Sequence, residues 1–148
     1  MKLNDLDRRV ILLLQQDGRA SNTALSKRLG VSESTVRRRI GQLIRNGVIS
    51  VIAVPEPSAL DYKAEALIGL EVQLGSLDSV TQELASMPEV QYVASCTGRY
   101  DVFIWVILKS QDELVDFLKN KLAPISGIRR SETFVNLEVT KRAFGWLY

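Results

Sequence analysis

Three consecutive cations, Arg37, Arg38 and Arg39, are followed by Gln42 and Arg45 and preceded by Ser32, Ser34 and Thr35. These residue types suit one kind of chemistry. A guanidinium fork matches the two acceptors of a guanine edge, a carboxamide matches adenine, and hydroxyls or flanking cations take phosphate oxygens. The side chains best suited to bidentate contacts are Arg38, with guanine, and Gln42, with adenine. The plain alternative is a solvated charged helix face. Against it, no acid follows Glu33 until Glu56, so three adjacent arginines have no local counter-charge.

Other chemistries lack their residues. The chain has no histidine, which excludes His-based acid–base catalysis and His metal ligation. The single Cys96 cannot form an internal disulfide and does not suggest a zinc site. No paired carboxylates, nucleophile–base set or Gly-rich phosphate loop stands out, so no cofactor, metal or catalytic residue is expected and the chain does not read as an enzyme. No apolar run approaches the roughly 20 residues of a membrane span, and residues 1–7 lack the apolar core of a signal peptide. A cytoplasmic setting with no membrane partner is expected. The net charge of +2 is unevenly distributed. Residues 1–60 hold ten Lys/Arg against five Asp/Glu, a balance of +5, and residues 61–148 hold nine against twelve, a balance of −3. A basic N-terminal part suggests a polyanionic partner there, although surface charge can also fall unevenly for no such reason.

The elements that would position these groups follow from periodicity. Asn4 or Asp5 can cap a first helix carrying Leu6, Val10, Leu13 and Leu14 at helical spacing, which ends at Asp17-Gly18. Ser21 or Asn22 caps a short second helix with Leu25 and Leu29 on one face. Gly30-Val31 makes the turn, and Ser32 caps a third helix running to Asn46-Gly47. Helix, short Gly-containing turn, helix is the helix-turn-helix pattern. At about 100° per residue the third helix puts Val36, Ile40, Leu43 and Ile44 inward. Ser34, Thr35, Arg38, Gln42 and Arg45 lie opposite, with Arg39 at the margin. Arg37 falls nearer the buried stripe, its stem packing and its head reaching a phosphate. The expected DNA-binding set is Ser32, Ser34, Thr35, Arg37, Arg38, Arg39, Gln42 and Arg45, with double-stranded DNA as the partner.

Residues 48–54 are β-branched and apolar and read as a strand, which Pro55-Glu56-Pro57 ends. Beyond the linker the signals alternate: strand 64–72, helix 78–86, strand 90–96, strand 101–108, helix 111–122 and strand 133–140. This βαββαβ order is the ferredoxin-like pattern. The expected organisation is a helix-turn-helix domain (1–50), a hinge strand and linker (51–63), and an assembly and sensing domain (64–148). The expected fold class is α+β: a winged-type helix-turn-helix followed by a ferredoxin-like domain. Residues 102–108 are apolar at every position, so both faces of that strand should be buried, yet helices cover one face only. Leu67 with Phe103, Trp105 and Ile107 would form an exposed patch suited to self-association. Alternatively, the N-terminal domain or the tail residues Phe144, Trp146, Leu147 and Tyr148 cover it.

Residues 5–19 (DLDRRVILLLQQDGR) resemble the opening helix of the Lrp/AsnC transcriptional regulators, the leucine-responsive or feast/famine proteins. Residues 29–40 (LGVSESTVRRRI) and 43–49 (LIRNGVI) resemble that family's helix-turn-helix, and 96–101 (CTGRYD) its sensor-domain loop. The likeness runs over nearly the whole chain in the family's order. It implies sequence-specific DNA binding by a homodimer or higher homo-oligomer, modulated by a small-molecule effector such as an amino acid. It also implies that residues 48–54 resemble a hinge that pairs with its twin in a partner subunit. The implied effector site is Gly98, Arg99, Tyr100 and Asp101, with Thr133. Gly98 would allow close backbone approach, Asp101 would pair with an ammonium group and Thr133 would donate to a carboxylate. Arg99 could instead favour a carboxylate-bearing effector, and the loop could be a plain hairpin turn with Asp101 binding local N–H groups. Three other readings remain. One is an enzyme like the sirohaem decarboxylases that resemble this family, which rely on the histidine this chain lacks. The second is an effector-binding adaptor without DNA binding. The third is an RNA binder, for which no aromatic-rich strand motif is evident.

Overall fold

The computed structural model describes residues 2–142, which divide into two compact units, one ending at Val54 and one spanning Pro55–Arg142. The first unit holds three helices, α1 (Asp5–Gln16), α2 (Asn22–Leu29) and α3 (Glu33–Arg45). Each begins where a side chain satisfies otherwise unpaired N–H groups. Asn4 and Asp7 form a reciprocal capping box on α1, Ser21 caps α2 through the Ala24 N–H, and Ser32 caps α3 through the Thr35 N–H. Gly30, at φ +69°, closes α2 in the left-handed conformation that a side chain would resist. Val10, Leu25, Leu29, Val36 and Leu43 form the core.

Two expectations for this unit are corrected. Ile44 is 46% exposed and Leu43 fully buried: at about 100° per residue Ile44 falls roughly 80° round α3 from Val36, at the margin of the buried stripe, and Leu43 only roughly 20°. Residues 48–54 form no strand: Val51 and Ile52 are exposed and no ladder partner adjoins them among the described residues. An extended apolar segment becomes a strand only when another backbone pairs with it.

In the second unit a 3₁₀ turn (Pro57–Leu60) leads into β1 (Ala64–Val72), α4 (Leu77–Ala85), β2 (Val90–Ser95), β3 (Val102–Leu108), α5 (Gln111–Asp116) and β4 (Ile128–Val135). The helix expected over 111–122 is regular only to Asp116 and continues as a wider π-type segment over Phe117–Leu122. The sheet is antiparallel throughout, in the order β2-β3-β1-β4, the ferredoxin-like arrangement. Ala66, Ile68 and Leu70 of β1, with Ile104 and Val106 of β3, face Val80, Leu84, Leu114, Phe117 and Leu122 in a continuous core. The final strand begins five residues earlier than expected. Arg129-Arg130-Ser131-Glu132 looks too polar for a strand, but an edge strand with an open face tolerates it. Gly127 sets the start: its φ is +98°, and a Cβ there would lie 2.6 Å from the Ser76 Cβ.

Within this unit no helix among the described residues packs on the other sheet face. Leu67 and Phe134, directly paired across β1 and β4, are 37% and 43% exposed, and Phe103, Trp105 and Ile107 are half-buried. The tail residues Phe144, Trp146, Leu147 and Tyr148, considered above as a cover, lie outside the described residues. At one end of this face the Glu65 carboxylate accepts hydrogen bonds from Trp105 Nε1 and Asn136 Nδ2, both at 2.8 Å, and pairs with Arg142. The Arg142 guanidinium stacks on the Trp105 ring at 5.1 Å.

Candidate nucleic-acid interface and effector loop

The cap that starts α3 also builds the polar end of its outer face. Ser32 Oγ lies 2.9 Å from both Ser34 Oγ and Thr35 Oγ1, giving three linked hydroxyls at a helix N-terminus, where N–H groups and the helix dipole favour an anion. Behind them Arg37, Arg38 and Arg45 are exposed and Gln42 is half-buried. Arg37 thus stands further out than its angular position implied. Arg39 departs from the expected set: its guanidinium turns inward, with Nη1 3.7 Å from Oδ1 of the fully buried Asp7 on α1. Seven of the eight expected residues therefore share a solvent-facing end or side of α3, and the eighth is held by α1.

The loop between β2 and β3 is tied into the sheet. Gly98, at φ +122°, makes the turn that a β-carbon would resist. Asp101 is held three ways. Its N–H donates to the Leu70 carbonyl at 2.8 Å, its own carbonyl accepts from the Cys96 N–H at 2.9 Å, and its Oδ2 accepts from the Val72 N–H at 2.7 Å. The last of these spans 29 residues, so Asp101 braces the end of β1 instead of merely closing its own turn. Tyr100 lies flat over β1, where only Gly69 leaves room: a Cβ at Gly69 would sit 2.7 Å from the Tyr100 Cγ. The Tyr100 ring meets Phe103 edge-on at 5.3 Å, and its hydroxyl donates to Glu132. That bond, with desolvation, holds the phenol above its ordinary value of 10.0. Arg99 completes the cluster, 3.3 Å from the Glu132 carboxylate and 5.3 Å from the Tyr100 ring centre.

Thr133 falls outside this group. It pairs with Ile68, whose side chain is in the core, so Thr133 projects to the helix side while Tyr100 and Arg99 gather on the open side. Glu132, paired with Gly69, occupies the place expected of Thr133. The sequence signal for it is an acid between two hydroxyl residues, Ser131 and Thr133, just before Phe134, and a strand that starts at Thr133 leaves it out.

Two family models and several known proteins match this chain. Residues 3–50 match the family model described as winged helix-turn-helix DNA-binding, and residues 65–146 match that of the Lrp/AsnC ligand binding domain. An uncharacterised HTH-type transcriptional regulator of Pyrococcus abyssi is 37% identical over 149 residues, covering 100% of this chain and 94% of that protein. E. coli AsnC superposes with a TM-score of 0.85 at 28% identity, covering 97% of this chain and 98% of its own. The fold is shared with a Neisseria meningitidis transcriptional regulator solved in complex with L-Met, with a TM-score of 0.84 at 22% identity, covering 95% of this chain and 94% of that one. The paired matches, the helix-turn-helix and the ferredoxin-like sheet together place this chain in the Lrp/AsnC family of transcriptional regulators.

Proposed function

We propose that this chain regulates transcription by laying α3 in the DNA major groove, and that it acts by binding and not by turnover. Arg38 and Gln42 read base edges. Ser32, Ser34, Thr35, Arg37 and Arg45 take phosphates on either side. The observation that carries this reading is the exposed, uncompensated cationic side of α3 behind a hydroxyl-lined N-terminus. Residues 1–50 bind DNA, 51–63 link, and 64–148 assemble and sense. The open sheet face centred on Leu67, Phe103 and Phe134 packs against a second copy, so that a symmetric dimer reads two half-sites. An amino acid is the effector. The L-Met complex of the structurally similar Neisseria regulator supports that class of ligand, and the loop 98–101 with Glu132 offers both signs of charge to a zwitterion. A reducing cytoplasm suits the free, exposed Cys96.

The test is a salt titration of DNA affinity. Arg38→Ala should lose about 1–3 kcal/mol on a preferred duplex and little on a shuffled one. Arg45→Ala should weaken both alike and reduce the slope of log K against log salt by about 1. Unchanged affinity in a folded Arg38→Ala protein would reject this placement of α3.

A further inference from the structure

Asp7 is the only charged residue in the buried class among the described residues, and its side chain has 0% exposure. Oδ2 is occupied, accepting the Asn4 N–H at 3.1 Å within the capping box. Oδ1 is buried and accepts no hydrogen bond among the described residues, and the buried Nε of Arg39 likewise has no acceptor. What faces Oδ1 is the Arg39 guanidinium, 3.7 Å away and 24% exposed, beside the open side chains of Arg37 and Arg38. A helix cap needs only one carboxylate oxygen, so the capping box leaves the second oxygen unexplained. Burying a carboxylate against a single counter-charge brings little net stability, since desolvation offsets most of the attraction. What such a pair can supply is registry. It joins the first turn of α1 to the middle of α3 at one angular position. Each residue of α3 turns the outer face by about 100°, so slippage by one position would swing Arg38 and Gln42 away from anything they face.

We infer that Asp7 is a positioning residue for DNA recognition. It holds Arg39, and Arg39 fixes the rotation of α3, which decides which of its side chains meet base edges. Arg39 is then a strut between helices and not a phosphate contact. The inference rests on the DNA-binding reading above and concerns specificity, not affinity at large.

The experiment compares a duplex enriched by the wild-type full chain from a random-sequence pool with a shuffled duplex of the same composition. Asp7→Asn, Arg39→Gln and the double variant are measured well below their melting temperatures, with folding checked by circular dichroism. The double variant removes both charges together, so it leaves no unpaired buried ion and keeps the test alive if a single variant unfolds. The expected result is a loss of about tenfold in the enriched-to-shuffled affinity ratio in the double variant and in each folded single variant, the worth of one misplaced base contact. Shuffled-duplex affinity and salt slope should stay at wild-type values. A merely structural pair would lower the melting temperature and leave that ratio unchanged in folded protein, which overturns the inference. A salt slope smaller by about 1 on both duplexes for Arg39→Gln would also overturn it, because Arg39 would then hold a phosphate. Failure of the wild type to enrich any duplex would bring down the DNA reading itself, and is distinguishable from either result.

Discussion

Replacing Asp101 by alanine should unfold the sheet unit at a visibly lower temperature, before any question of ligand arises. Alanine keeps the two backbone bonds to Leu70 and Cys96 and removes only the carboxylate that accepts the Val72 N–H at 2.7 Å. Val72 is 5% exposed and sits where the β1–β4 register shifts, between Glu71 and Val72. Its N–H therefore has neither regular ladder partner nor ready water once the carboxylate has gone. A hydrogen bond to a charged group contributes about 1.5–3 kcal/mol, and an orphaned buried donor costs a similar amount. With roughly 4–8 °C of melting temperature per kcal/mol for a unit of this size, a loss of about 2 kcal/mol should lower the midpoint by roughly 10 °C. Calorimetry at one fixed protein concentration is the assay, since self-association of the proposed kind would make the midpoint depend on concentration. Asp101→Asn keeps an oxygen acceptor and should recover a large part of the loss. A midpoint for Asp101→Ala within about 2 °C of wild type would refute the brace. The result also decides how effector titrations are read: lost ligand response in Asp101→Ala follows from a loosened β1, whereas lost response in a normally melting Asp101→Asn would identify a ligand contact.

Two further outcomes follow from the same geometry. Gly69→Ala should cost about 1–3 kcal/mol by driving a β-carbon into the Tyr100 ring, and a denaturant double-mutant cycle should show that cost vanishing when Tyr100 is also alanine. Stability should respond to pH at two partnered groups. Lys121, hydrogen-bonding Glu89, holds that carboxyl below its ordinary 4.5, so this contribution is present above about pH 4.5 and lost as pH falls through the lower folded value. Tyr100, held above 10.0 by Glu132, contributes below pH 10 and loses that contribution as pH rises through the folded value. Urea midpoints across pH should show a flatter acid limb in Lys121→Met and a flatter alkaline limb in Tyr100→Phe.

Much of this was legible in the residue order. Asn4, Ser21 and Ser32 are caps because their side-chain oxygens reach N–H groups three residues on, a local relation that sequence displays directly. The ferredoxin-like order was legible for the same reason, since period and turn residues are local. What stayed hidden depends on partners distant in sequence. Arg39 looked like its two neighbours until Asp7, on another helix, claimed it. Residues 48–54 have the composition of a strand and no strand beside them among the described residues. Thr133 and Glu132 take opposite faces because one residue along a strand reverses which side of the sheet a side chain takes. For Asp101, residue order suggests an ammonium contact or, alternatively, bonds to N–H groups of its own turn, and neither reading contains the bond to the end of β1.

The sheet order β2-β3-β1-β4 bears on how the chain comes into being. Strand β1 appears early in synthesis but lies inside the finished sheet, and neither neighbour exists until much later, with Ala66 waiting on Val106 and then on Val135. The three helices ahead of it close over contacts between near residues and can settle within microseconds to milliseconds. On a ribosome the helical unit should therefore be complete while β1, apolar on its core-facing side, still lacks both edges. Such a strand is open to pairing with the wrong chain until β4 emerges. Glu65 and Glu71, placed on its other side among Leu67 and Gly69, put two charges on the strand during that interval.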